Sequence, residues 1–162
     1  MAVDMFLKLD GIPGESVDEK HRDEIQLESF SWGESNAGAH TTGGGGGAGK
    51  VSMQDFHFTS RVSKATPLLM LHCANGAHIK EGTITVRKAG NQDRAGVEFL
   101  FYKFETITIT SVQEAGDTND LPLDSVSFAF QKIDVMYKPQ TPAGGVGAAV
   151  EFAWDLKANN KI

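Results

Sequence analysis

Apolar and polar residues alternate along most of this chain with a period of two. The stretch VDMFLKL places Val3, Met5 and Leu7 on one side, and VEFAWDL repeats the pattern with Phe152 and Trp154. Other segments with this alternation are IQLESFSW, VSMQDFHF, TITVRK, FETITITSV and DSVSFAFQKIDVMY. Alternation of this kind is typical of β-strands with one buried face. It predicts a mainly β body of seven or eight strands.

Two segments change phase. In VSMQDFHF the apolar positions move from Met53 to Phe56, and in SFAFQKIDV they move from Phe130 to Ile133. A period of two shifts in this way through a bulge, a crossing between sheets, or burial on both faces. The segment VEFLFYKF, residues 97–104, is apolar on both sides. We expect part of it to contact another chain or a second sheet.

One segment, TPLLMLHCANG at residues 66–76, has the pattern of a helix. Thr66 is suited to the N-cap, Pro67 to the first helical position and Gly76 to the residue just past the end. The segment is apolar nearly all round, which is typical of a buried helix. We therefore predict one helix packed deeply against the β body.

The composition is that of a globular domain. The 162 residues predict a single domain, residues 1–162, which is large enough to bury a core without a metal or a disulfide. A formal net charge of −6 disfavours binding to nucleic acid and to anionic membranes. Cys73 is the single cysteine, so no disulfide forms within the chain.

The N-terminal segment MAVDMFLKLD has no basic residues before its short apolar stretch, so it does not resemble a signal peptide. No run approaches the roughly 18 apolar residues of a membrane span. We expect synthesis in the cytoplasm, no insertion into a membrane, and export only by a dedicated machine.

Within the stretch GGGGGAGKVS, residues 43–52, the seven residues from Gly44 to Lys50 fit the first seven places of a phosphate-binding loop. Its eighth place carries Val51 instead of the hydroxyl that would hold magnesium, and the residues that follow have the pattern of a strand, whereas a phosphate loop opens a helix. We therefore expect no nucleotide or other cofactor here. Eight of the 18 glycines lie between Gly33 and Gly49, which predicts a long loop with unusual backbone conformations.

No other motif indicates catalysis or metal binding. HRD at residues 21–23 imitates a kinase loop, but Glu28 stands where that loop has Asn, so a polar turn is the better interpretation. The histidines are scattered. Trp32 and Trp154 are interpreted as core aromatics, with pocket lining as the alternative. Ser31 lies between Phe30 and Trp32, so it is expected to point away from the core or into a bulge.

Several segments together resemble one family. They are MAVDMFLKLDGIPGES, FSWG at 30–33, GGGGGAGKVSMQDFHFT at 43–59, KATPLLML at 64–71, RKAG at 87–90 and FAWDLKAN at 152–159. In this order they resemble the Hcp family, the tail-tube proteins of the bacterial type VI secretion system. The resemblance runs from end to end and is weaker near residues 91–96, 113–122 and 139–149. In this family the glycine-lysine stretch belongs to an extended loop.

The resemblance implies a β-barrel-like domain of two packed antiparallel sheets with one α-helix, similar to phage tail-tube proteins. It also implies no enzymatic activity, and a homohexameric ring that stacks into a tube. The implied partners are a VgrG-type spike, a contractile sheath and small effector proteins in the lumen. Ser31 is expected to face that lumen.

The loop from about Gly38 to Lys50 is expected to contact the next ring, because a glycine-rich segment loses much entropy on ordering and needs a partner surface to compensate. The residues assigned to this contact are Gly43, Gly44, Gly45, Gly46, Gly47, Gly49 and Lys50. Three alternatives stay open. They are a tube protein of a phage or another contractile injection system, a monomeric β-barrel that binds a small ligand, and an enzyme that uses the glycine loop on nucleotides.

Overall fold

A computed structural model describes residues 2–38, 50–89 and 96–162. Within these ranges it contains ten strands and one helix. In chain order they are β1 (Val3–Leu9), β2 (Ile25–Ser31), β3 (Glu34–Asn36), β4 (Val51–Met53), β5 (Phe56–Arg61), α1 (Ala65–Asn75), β6 (Ile79–Lys88), β7 (Val97–Ala115), β8 (Leu123–Tyr137), β9 (Val150–Asp155) and β10 (Asn160–Lys161).

Six of the strands form a closed antiparallel barrel. The order around it is β8, β5, β2, β1, β6 and β7, and β7 pairs with β8 again to close the sheet. β9 and β10 extend the sheet outward from β8, and β3 and β4 form a separate two-stranded ribbon. The predicted class, a mainly β, barrel-like domain with one helix, is confirmed. The pairing of β7 with β8 in a long hairpin closes the main sheet into a barrel. The two layers of the barrel therefore belong to one continuous sheet.

Aromatic rings fill the middle of the barrel. Phe56, Phe58, Phe104 and Phe128 are fully buried. The ring of Phe104 lies 5.0 Å from that of Phe56 and 5.0 Å from that of Phe128, at steep interplanar angles. Edge-to-face pairs at this spacing contribute about 0.5–1.5 kcal/mol each beyond their buried area. The interior is therefore a packed core, and function has to lie on the outside of the barrel.

Both changes of phase have a structural cause. Between Met53 and Phe56 the chain leaves the ribbon and enters the barrel, so the two positions belong to different sheets. β8 changes its neighbour instead: residues 123–128 pair with β5 and residues 132–137 pair with β9. Across the hairpin from this point, Thr106 of β7 has φ = 55°. Of the three causes that the sequence allowed, a crossing between sheets explains the first shift, whereas in the second shift β8 stays in one sheet and changes its neighbour opposite an irregular backbone position.

The start of α1 differs from the prediction. The helix begins at Ala65, and Thr66 does not cap it. The Thr66 hydroxyl instead donates to the buried carboxylate of Asp124 and accepts the backbone N–H of Ser63 at 3.1 Å. The predicted N-cap was therefore wrong. The predicted C-terminal glycine is confirmed, since Gly76 has φ = 66° and its N–H donates to the carbonyl of His72 at 3.0 Å.

The expected deep burial of α1 was also wrong. Leu69 is buried, but Met70 is 41% exposed and Leu71 is 53% exposed. The helix lies against the outside of the barrel near β7, so only one side of it is covered. Its outer side carries an apolar stripe of exposed residues, namely Pro67, Met70, Leu71 and Ala74.

Candidate functional site

The outward surface of four neighbouring strands carries small polar side chains. Inward residues of β5 and β8 such as Phe58 and Val126 are buried, so the residues between them point outward. The register of β2, β5, β8 and the second half of β7 places these outward residues side by side. We call this surface the hydroxyl face. Its residues are Gln26, Ser29, Ser31, His57, Thr59, Thr108, Ser111, Gln113, Ser125, Ser127 and Ala129.

Side chains on the hydroxyl face bond to one another across the strands. The hydroxyl oxygens of Ser29 and Thr59 are 2.6 Å apart, and His57 Nδ1 lies 3.0 Å from Ser127 Oγ. These bonds hold the short side chains close to the sheet. Charged residues lie at one end, where Arg61 approaches carboxylates of neighbouring segments. The residues of the hydroxyl face are thus mostly short and polar, and none of them is a large apolar residue.

The His57–Ser127 pair does not form a catalytic triad. A triad needs a carboxylate on the second ring nitrogen to orient the imidazole. Among the hydrogen bonds of the described residues, His57 has a side-chain bond only to Ser127. The pair also lies on an open sheet surface. It serves to hold the two side chains in place.

Ser31 occupies the position that was expected for it relative to the core. It is exposed at the end of β2, opposite His57 of β5. Its neighbour Phe30 points inward, with its ring 5.5 Å from the rings of Phe56 and Tyr102. On its other side, Trp32 is half-buried and its Nε1 donates to the carbonyl of Gln54 at 3.0 Å. Ser31 therefore belongs to the hydroxyl face.

The predicted stacking loop falls mostly outside the described residues. Gly43, Gly44, Gly45, Gly46, Gly47 and Gly49 lie outside the described residues. Lys50 is described; it is exposed and directly precedes β4. Because Val51–Met53 is a strand, the residues after Lys50 have the conformation that was predicted for them, and the helix of a phosphate-binding loop is not formed at this position.

The HRD segment is a turn, as predicted, but His21 has a further role. Its ring is buried and stacks on Phe6 at 4.4 Å. Its Nδ1 lies 2.7 Å from a Glu24 carboxylate oxygen, and its Nε2 lies 2.9 Å from one of Glu98. The histidine therefore ties the β1–β2 connection to β7. The cluster of acidic residues around His21 in the sequence was the signal for this role, and it was missed.

Next to His21, the guanidinium of Arg87 lies 5.0 Å above the ring of Phe6 and contacts Asp18 and Asp4. The hydrogen bonds from Arg87 lower the pKa of Asp18 to about 2. This group of side chains covers the outer surface of β1 and β6. These contacts join the β1–β2 connection to the barrel wall.

A second charged group lies on the outside of β7, β8 and β9, and sequence reasoning missed it as well. It contains Lys103, Glu105, Lys132, Asp134 and Glu151. Burial raises the pKa of Asp134 to about 6, and the neighbouring Glu151 adds to this effect through a hydrogen bond and its charge. A pKa of about 6 lies above the range usual for aspartate in folded proteins, roughly 3.5 ± 1.2.

A cleft lies between the β3–β4 ribbon and β9. It encloses about 360 Å³, and its lining includes Val51, Phe152 and Trp154. Phe152 and Trp154 are stacked, with their ring centroids 6.5 Å apart, and both also pack against the core. Trp154, like Trp32, packs against the core, as the main interpretation of the sequence expected, and it also lines this cleft. Its Nε1 is buried without a hydrogen-bond partner in the described structure.

Two further properties concern metals and membranes. Within residues 2–38, 50–89 and 96–162, no group of three or more His, Cys, Asp and Glu side chains is arranged to hold a metal ion. The helix found in these ranges is too short to cross a membrane.

Comparison with known proteins gives consistent matches. The model of the family described as "Type VI secretion system effector, Hcp" matches residues 6–137. The chain is 39% identical over 161 residues to the protein named hcp1 of Pseudomonas aeruginosa, which covers 98% of each chain. A solved structure described as a type six secretion system protein superposes with a TM-score of 0.91 at 27% identity, covering 99% of this chain and 100% of the other. Hcp1 from Salmonella typhimurium superposes with a TM-score of 0.81 at 32% identity and covers 100% of both chains.

Proposed function

This chain belongs to the Hcp family of type VI secretion system proteins, and we propose that it serves there as the repeating subunit of a secreted tube. Six copies would form a ring, and rings would stack into a hollow tube. The hydroxyl face would line the lumen. One observation carries this proposal: the outward side chains of four neighbouring strands are mostly short and polar. Ser29, Ser31 and Thr59 are examples.

A lumen wall of this kind suits the passage of protein cargo. Hydroxyl groups that bond to one another or to water offer little apolar area for permanent adhesion. The short side chains also leave the channel wide. Small effector proteins could thus be held weakly and released, which is the role proposed for Ser31 and its neighbours.

The remainder of the surface favours association with further copies. Several large apolar side chains are exposed, among them Val17 at 87% and Val150 at 67%. In the doubly apolar segment of β7, Phe99 and Phe101 are only half-buried and lie beneath the ammonium groups of Lys88 and Lys138. Exposed apolar surface is typical of interaction sites. Closure of a ring would cover it without open-ended growth in the plane.

The alternative of a small-ligand barrel receives less support. A barrel that binds a ligand inside needs an empty interior, whereas Phe56, Phe104 and Phe128 occupy the middle of this one. A tube protein of a phage or another contractile injection system would share the fold. The family match favours the type VI system.

The proposed partners follow from the tube. They are further copies of the chain, a VgrG-type spike at the tip, the contractile sheath around the tube, and effectors in the lumen. The subunit would assemble in the cytoplasm and leave the cell by contraction of the sheath, without a signal peptide. No catalysis and no cofactor enter this proposal.

The test is the mass of the purified protein. Native mass spectrometry at micromolar concentration, with a chelator present, should give six times the 17.4 kDa of the chain. Ring-shaped particles with an open centre should be seen by electron microscopy of the same sample. A protein that is only monomeric or dimeric under these conditions would contradict the proposal.

A further inference from the structure

Asp134 lies in the middle of the outer surface of β8, between β7 and β9. Its direct partner on β7 is Lys103, and its direct partner on β9 is Ala153. Ala153 offers no polar group. Glu151, whose direct partner on β8 is Met136, is two residues from Ala153 and therefore lies diagonally across from Asp134 on the same outer surface. Its hydrogen bond and its charge contribute to the raised pKa of Asp134. Two carboxyl groups, one on each strand, thus lie diagonally across the β8–β9 junction.

The other charged groups around Asp134 compensate for this pair only in part. Lys132, on the same strand, forms an ion pair with Glu105 of β7 at 3.7 Å and faces Asp155 of β9 in the register. Lys103 attracts Asp134 electrostatically, but the ion pairs found among the described residues do not include one between them. Of the two lysines on this surface, one is therefore already engaged by another carboxylate.

The environment of Asp134 favours its protonated form. Its Oδ1 is buried and has no hydrogen-bond partner within the part of the chain that the structure describes. An ionised carboxylate in that position has an unpaired, desolvated oxygen next to a second negative charge. A proton shared between Asp134 and Glu151 removes the repulsion and forms a strong carboxyl–carboxylate hydrogen bond.

β9 forms most of its strand pairing with β8. All six of its residues pair with β8, whereas on its other side β10 pairs only with Trp154 and Asp155. The backbone of Ala153 also accepts from the N–H of Ile162. Residues 150–152 therefore have a strand neighbour on one side only in the described structure. An attractive or repulsive contact at Glu151 acts on the least supported part of the strand.

We propose that Asp134 and Glu151 form a proton-operated lock on β9, which fastens the strand to β8 in acid and loosens it when both carboxyls are ionised. The raised pKa of Asp134, about 6, supports this direction. A carboxyl whose pKa is higher in the folded protein than its ordinary value of 3.8 binds its proton more tightly when folded. The lock therefore tightens as the pH falls from about 6 towards 3.8.

Hydrogen exchange of the β9 amides tests the lock. Protection factors for residues 150–155, corrected for the intrinsic exchange rate, are compared at about pH 7 and about pH 5 in samples of the same oligomeric mass. In the wild type they should rise on acidification by about three- to tenfold relative to those of β1. Asp134→Asn, which keeps the shape and removes the charge, should give high protection at both values of pH.

Glu114→Gln is the control. It removes an exposed carboxylate from the part of β7 that pairs with residue 124 of β8, away from Asp134 and β9, so the pH response of β9 should persist. An unchanged response in Asp134→Asn, or no response in the wild type, would overturn the proposal.

A second route keeps the test independent of the folding of Asp134→Asn. If that variant loses the protection of β1, Glu151→Gln replaces it, and the carboxyl carbon of Asp134 is titrated by NMR in the wild type. A midpoint near the pKa of about 6 that falls in Glu151→Gln supports the lock. A midpoint at the ordinary value overturns it. Because the measurement follows one strand within the subunit, its outcome is separate from the question whether the protein forms a tube.

Discussion

The guanidinium of Arg87 on β6 donates two hydrogen bonds to the carboxylate of Asp18 in the β1–β2 connection. Nη2 donates to Oδ2 at 2.5 Å, and Nη1 donates to Oδ1 at 3.1 Å. Bidentate pairs of this kind combine charge with fixed geometry. This pair joins two segments that are 69 residues apart. It holds the long connection against the outside of the barrel.

Asp18→Asn should therefore destabilise the protein by about 1–3 kcal/mol at neutral pH. The pKa of Asp18 is lowered to about 2 from its ordinary value of 3.8. Its contribution is thus fully present above the ordinary value and is lost as the pH falls towards 2. Urea unfolding at matched protein concentration would show a difference between variant and wild type that shrinks in acid.

Asp10→Asn is the control, since Asp10 is exposed and only its backbone is hydrogen-bonded in the described structure. It should match the wild type at every pH. A gap between Asp18→Asn and the wild type that persists below the pKa of Asp18 would show that the ion pair does not cause it.

The buried pair of Thr66 and Asp124 gives a second prediction. Both residues are almost fully buried, and the Thr66 hydroxyl is the side-chain donor to the carboxylate. Thr66→Val keeps the shape and leaves that carboxylate without its donor. We expect a loss of about 2–4 kcal/mol in urea unfolding. Thr66→Ser retains the hydroxyl and should lose clearly less; equal losses in both variants would contradict this account.

The strands were predictable because their pattern is local. In β1, β5 and β9 the alternation of residues such as Phe56 and Phe58 with polar neighbours sets which face is buried, whatever the rest of the fold does. The arrangement of the strands in a barrel was predicted from the resemblance to the Hcp family. The change of neighbour in β8 was visible as a phase shift, but its cause was not, because it depends on where β5 ends and β9 begins.

The features that sequence reasoning missed depend on contacts between distant residues. Thr66 was assigned to the N-cap because Asp124, which it bonds to, is 58 residues away. Asp134 and Glu151 meet only because of the β8–β9 register. The exposure of Leu71 depends on which side of α1 the barrel covers, and a helix that is apolar all round carries no information about that side.

The position of Ser31 gives the third prediction, which rests on the proposed tube. Ser31→Gln replaces a short hydroxyl side chain on the hydroxyl face by a long amide. If that face lines the lumen, the ring should still form while the amount of effector that co-purifies with it falls several-fold. Native mass spectrometry reports the ring, and quantitative immunoblotting reports the effector.

Ser52→Gln is the matched control for this variant, because Ser52 is also an exposed strand residue but lies on the β3–β4 ribbon. It should retain the effector. Normal retention in Ser31→Gln, or equal loss in the two variants, would show that Ser31 does not contact cargo in the lumen.

The last prediction concerns the segment from about Gly38 to Lys50, for which we propose contact with the next ring. Glycine has more conformational freedom to lose on ordering than any other residue, so an ordered role for this sequence needs a partner surface that compensates. Its sequence has few apolar groups with which to bury itself against its own subunit. Shortening Gly43–Gly47 to two residues should therefore leave the hexamer intact, while the length of tubes seen by electron microscopy and the amount of secreted protein both fall. The exposed loop residue Asn119 offers a comparison, since Asn119→Ser alters a different, polar surface loop and should affect neither. Tubes of normal length and normal secretion from the shortened chain would show that this segment does not join the rings.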